Sequence, residues 1–92
     1  MTEEDKAYME SRMAEALPAM RKHLKLSQSD LESLSGVSRS VISNIERGKR
    51  AMRWDTFVAI TAVFRANPTC DNLLEAFGVS TSRLKKYFNV EG

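Results

Sequence analysis

The sequence is poor in the residues from which covalent staples, metal centres and sharp turns are made. It holds one cysteine and one histidine, two prolines and four glycines among 92 residues. Cys70 alone cannot close a disulfide within the chain, and with His23 as the single imidazole it cannot complete a zinc site. A reducing cytoplasm is the expected location. No apolar run approaches the ~18 residues of a membrane span, so no membrane partner is expected. The start, TEEDKAYMES, is acidic where a secretory signal is basic. No glycine-rich phosphate loop is present. Cys70 and His23 lie far apart, and the Asp and Glu residues fall at helix starts, in pairs or on solvated faces. The chain is not expected to be an enzyme, and no catalytic residue, metal ligand or cofactor is assigned.

Hydrophobic residues make up 42% and charged residues 28%, an ordinary balance for a folded domain. No stretch alternates at period two for long, so the class is all-α. The net charge of +2 is unevenly spread. Residues 1–16 carry two basic and five acidic side chains, a net of −3. Residues 17–53 carry eight basic against three acidic, a net of +5, and residues 54–92 balance four against four. A basic middle third is the electrostatic footprint of a nucleic-acid binder.

That middle third contains SQSDLESLSGVSRSVISNIERGKRAMR, Ser27 to Arg53. Ser27 suits a helix N-cap, and Leu31 and Leu34 give the helix an apolar face. Gly36 stops it by accepting a left-handed backbone. Val37 points inward from the turn, and Ser38 caps a second helix, Arg39 to about Glu46. Ile42 and Ile45 face the core. Arg39, Ser40, Ser43 and Asn44 face outward. Gly48 ends the helix, and Lys49, Arg50 and Arg53 follow. A solvated helix without function more often carries Glu and Lys at i,i+4 spacing. Arg, Ser and Asn on one face match base edges: Arg pairs with guanine, Asn with adenine, and Ser with several. Arg47, Lys49, Arg50 and Arg53 read as phosphate contacts, which set affinity and register. A merely solvated surface cation is the plainer reading of any one of them. Val41 is suited either to a thymine methyl or to the edge of the core.

Leu26-Ser27-Gln28, Leu31, Gly36-Val37-Ser38, Ile42-Ser43, Ile45-Glu46 and Gly48-Lys49 together resemble the Cro and phage-repressor (XRE-type) helix-turn-helix family. The resemblance spans Leu17 to Phe64. It implies a compact, lambda-repressor-like domain of about five to six helices, whose second motif helix enters the DNA major groove. It also implies that Arg21 pairs with Glu46 as a scaffold, and that Gln28 contacts a phosphate and braces the first reader of the recognition helix. Ser38 joins the expected phosphate contacts. Three positions depart from the family. Glu32 stands where a small Ala is usual, Lys25 where Gly is usual, and Met52 where Pro is frequent. Glu32 would be either a costly unpaired charge at a helix contact or a side chain that reaches outward along its aliphatic stem.

Thr2 before Glu3-Glu4-Asp5 marks a helix start. Met9, Met13, Leu17, Met20 and Leu24 continue it as one apolar stripe. Pro18 predicts a kink or a break there. Residues 1–16 read as an N-terminal helical arm, either covering the core or forming a dimer. Residues 17–66 form the helix-turn-helix domain. Residues 67–92 hold C-terminal helices that complete the core, their last apolar residues serving either self-packing or a dimer contact. A helix from Trp54 to about Ala66 buries Trp54, Phe57, Val58, Ile60, Thr61 and Phe64. Further helices follow over Thr69–Phe77 and from Ser80, the last carrying Leu84, Tyr87 and Phe88. His23 reads as a surface residue.

The function expected is a sequence-specific transcriptional regulator, a repressor that binds double-stranded DNA at a palindromic operator as a homodimer. The alternative is an antitoxin-type interaction module, which binds a toxin or another operon product and autoregulates. A third reading, a helix-turn-helix that has lost DNA binding, is opposed by Arg39, Asn44 and the 49–53 cations.

Overall fold

The computed structural model describes residues Thr2 to Asn67. They form α1 (Glu3–His23), α2 (Gln28–Ser35), α3 (Arg39–Glu46) and α4 (Trp54–Arg65). No strand occurs among the described residues. The helices expected over 69–77 and from Ser80 lie outside them, as do Leu84, Tyr87 and Phe88. No described helix is long and apolar enough to cross a membrane.

α1, α2 and α3 each start at a residue whose side chain caps the helix. Thr2 Oγ1 accepts from the Asp5 amide at 3.0 Å, and Asp5 Oδ2 returns the bond to the Thr2 amide at 3.3 Å. Ser27 and Asp30 repeat the arrangement at 2.9 Å in both directions. These reciprocal pairs satisfy amides that have no partner within the helix.

Of the kink or break expected at Pro18, the break is absent, since α1 runs through it as one helix of 21 residues. Pro18 leaves the Ala14 carbonyl without its usual donor, a defect of ~3 kcal/mol or more. Against it stands the burial of Met9, Met13 and Ala16 on the same face as Leu17 and Met20. Each large side chain buried is worth about 1.5–3 kcal/mol, so a continuous stripe outweighs one missing bond. The first half of α1 therefore packs on the chain's own core.

α1 packs on α3 and α4, and α2 packs on the same two helices. The shared core joins the α1 stripe to Leu31, Ile42, Ile45, Met52, Phe57, Ile60 and Phe64. Leu34 corrects the expected apolar face of α2, because it is 59% exposed. Three residues on from Leu31 it has turned past the core edge, onto a shallow groove beside Val63 and Ala66. Thr61 is buried in α4, and its hydroxyl has no hydrogen-bond partner among the described residues.

The helix ends explain one departure from the family. At the end of α1 the Lys25 amide donates to Lys22 O at 3.0 Å and the Leu26 amide to Arg21 O at 2.9 Å. At the end of α3 the Gly48 amide donates to Ile45 O at 3.0 Å and the Lys49 amide to Asn44 O at 2.8 Å. Both are the paired closure that needs a left-handed residue. Gly48 supplies it with φ of 73°, whereas Lys25 adopts φ of 58° despite its side chain. Lys25→Gly should therefore stabilise the fold by about 0.5–1 kcal/mol, the relief of left-handed strain exceeding the added freedom of the unfolded chain. Thermal unfolding checks this, with a rise of about 2–8 °C expected.

Candidate nucleic-acid interface

The candidate interface is built outward from a short turn. α2 ends on Gly36, whose φ of 79° lets its amide donate to Glu32 O at 2.9 Å. Ser35 Oγ donates to Leu31 O at 2.6 Å and accepts from the Val37 amide at 3.1 Å. Val37 is half-buried against the core, and Ser38 then caps α3 by accepting from the Val41 amide at 3.3 Å.

α3 divides cleanly into two faces. Ile42 and Ile45 are buried, and Val41 packs at the core edge. Arg39 and Ser40 are exposed, and Ser43 and Asn44 are half-buried. At 100° per residue these four side chains fall within a sector of roughly 140°. The Ser38 and Ser40 hydroxyls lie 3.4 Å apart on this side. Beyond the helix, Arg47, Lys49, Arg50 and Arg53 are all exposed. Met52 is only 4% exposed and roots the loop that carries them. Arg53 occupies the N-cap position of α4 and makes no side-chain cap bond.

The two motif helices are held to α1 by one partly buried polar network. Arg21 Nε donates to Glu46 Oε2 at 2.9 Å, and a terminal guanidinium nitrogen donates to Oε1 at 3.0 Å. The other terminal nitrogen donates to Leu26 O at 2.9 Å. Gln28 Nε2 adds a bond to Glu46 Oε1 at 3.2 Å. The side chains are 15% and 8% exposed for Arg21 and Glu46. Burial pushes the Glu46 carboxyl up, but the hydrogen bonds from Arg21 and Gln28 and the charges of Arg21 and Lys22 more than offset it, so it titrates below its ordinary range. The hydrogen bond to Glu46 raises Arg21 in turn. Gln28, expected to brace the first reader, thus gives its amide nitrogen to the opposite end of α3.

The helix-turn-helix family model matches residues 19–69, more than half of the chain. The chain belongs to the helix-turn-helix family of the XRE type. Members of this family are DNA-binding regulators of transcription, the class in which the chain now stands. No curated protein and no solved structure matches it.

Two contacts of this helix-turn-helix protein are not legible from spacing. Glu32 Oε2 accepts from the Arg39 amide at 2.9 Å, so the charge that stood out in α2 is exposed and hydrogen-bonded. Lys6 lies 5.4 Å above the Trp54 ring, which stacks on Phe57 with centroids 4.7 Å apart. Both join residues through the turn or across helices, where no local period points.

Glu46→Gln should lower stability at neutral pH by about 3 kcal/mol, because the Arg21 charge keeps its burial and loses its counter-charge. The pH dependence has a definite sign. Glu46 binds its proton less readily folded than unfolded, so its stabilisation is complete above its ordinary value of 4.5 and is lost as pH falls through the lower folded value. Denaturant titrations from pH 7 to pH 3 should show this acid-side loss in the wild type and less of it in Glu46→Gln.

Proposed function

We propose that the chain is a sequence-specific transcriptional repressor that places α3 in the major groove of its operator. The observation that carries this reading is the outward sector of α3. Four polar side chains point away from a buried Ile42–Ile45 face, with four exposed cations just beyond the helix. Arg39 and Ser40, nearest the helix start, reach deepest. Arg39 suits guanine and Asn44 suits adenine, while Ser40 and Ser43 adjust to neighbouring edges. Gln28, Ser38, Arg47, Lys49, Arg50 and Arg53 take phosphates. Such contacts fix register and supply the salt-dependent part of affinity.

The protein acts as a homodimer on a pseudo-palindromic site. Two copies related by a two-fold axis present their recognition helices about 34 Å apart, one helical turn of DNA. Repression then follows from occlusion of the promoter.

Selection of bound duplexes from a random pool tests this directly. An inverted repeat with half-sites one turn apart is the expected winner. Steep salt-dependent binding without enrichment would instead favour the interaction module whose main partner is another protein. Against the selected site, Asn44→Ala should relax preference at one base position and cost about 1–3 kcal/mol. Lys49→Ala should weaken binding to every sequence alike and lower the slope of log affinity against log salt by roughly one unit. Titrations at two salt concentrations distinguish these outcomes.

A further inference from the structure

The first turns of α1 and α2 carry their own acids, Glu3, Glu4 and Asp5 in one and Asp30 in the other. The first turn of α3 carries none. Its third residue is Val41, which cannot close a capping box. The carboxylate at that end comes from the neighbouring helix instead. Glu32 of α2 accepts from the Arg39 amide at 2.9 Å, while Ser38 Oγ takes the Val41 amide at 3.3 Å. α3 is thus capped twice, once by its own serine and once from across the turn.

A helix N-terminus attracts anions through its unpaired amides and its dipole, and a DNA phosphate is one such anion. At α3 the first amide is already held by an anion that belongs to the protein. That anion stands at the end of the helix where Arg39 and Ser40 are exposed.

We propose that Glu32 tunes the recognition helix in two ways: its charge weakens the pull of phosphates on every duplex alike, and its hydrogen bond sets specificity by fixing the end of α3 that reads bases. This rests on the reading of α3 as the groove-entering helix. The two actions are physically separable. The charge acts at a distance and is screened by salt. The hydrogen bond acts on position alone. Base contacts depend on position, because they need aligned donors and acceptors, whereas phosphate contacts tolerate displacement.

Glu32→Gln and Glu32→Ala in the full chain separate them. Affinities are measured for the selected operator and for an unrelated duplex at low and high salt, beside thermal melting. Gln keeps an acceptor oxygen and removes the charge. It should tighten binding to both duplexes by about threefold at low salt, a gain that fades at high salt, and leave their ratio unchanged. Ala removes both. It should tighten the unrelated duplex similarly but not the operator, so the ratio falls by about threefold to tenfold. Wild-type binding with no low-salt gain in Glu32→Gln overturns the proposal. A ratio in Glu32→Ala equal to that in Glu32→Gln also overturns it, as does a lowered melting temperature as the sole effect of either change. Wild-type protein that binds no duplex at any salt overturns the DNA reading itself and the role of Glu32 with it, so the two failures are told apart.

Discussion

The placement of α3 depends first on the pairing of Arg21 with Glu46. Its two parallel bonds, 2.9 and 3.0 Å, join the last turn of α1 to the last residue of α3. Leu26 and Gln28 bond to the same two side chains, so the turn before α2 and the first residue of α2 are held there too. Apolar packing alone would leave α3 able to slide or roll on the core, because dispersion contacts have little direction. Hydrogen bonds to a planar guanidinium and a planar carboxylate have strict direction. The network therefore adds orientation where the core adds cohesion. Burying two charges is itself of doubtful net benefit to stability, and its better-attested use is to specify one arrangement among several.

The opposite end of α3 is fixed by different means. Ser38 and Glu32 hold two of its first amides, so the helix is anchored by an acid at each end: Glu46 within its last turn, Glu32 from the adjacent helix. Between them the buried Ile42 and Ile45 set the depth. Eight residues are few for a helix, and an isolated segment of that length would not hold its shape in water. Here the shape comes from the frame around it, which leaves the outward positions unconstrained by folding and available to carry chemistry.

How much of this was legible in the sequence follows from which interactions are local. The bounds of α3 could be read from Ser38 and Gly48, because caps and left-handed ends are chosen by residues a few positions apart. The α1 stripe was equally plain. Pro18 does not break α1, because its penalty is local while the burial of Met9 and Met13, which outweighs it, is tertiary. Leu34 misled for the converse reason: a helix of two turns buries a narrower stripe than its apolar residues suggest. Glu32 looked like a misplaced charge because its partner is a backbone amide seven positions away, and backbone amides have no signature in a sequence. The polar face of α3 was readable, because the helical period sorts Arg39, Ser40, Ser43 and Asn44 away from the buried Ile42 and Ile45.

The stack of Lys6, Trp54 and Phe57 has a practical consequence. The sequence contains one tryptophan, and it begins the helix that follows the basic loop. Its ring sits under an ammonium from the first turns of α1 and against a phenyl ring of α4. Indole emission responds to nearby charge and to changes in polarity, so the protein carries a single built-in optical reporter at the junction of its N-terminal helix and its cationic loop. A change in the environment of that loop has an intrinsic spectroscopic readout, with no label to perturb the surface under study.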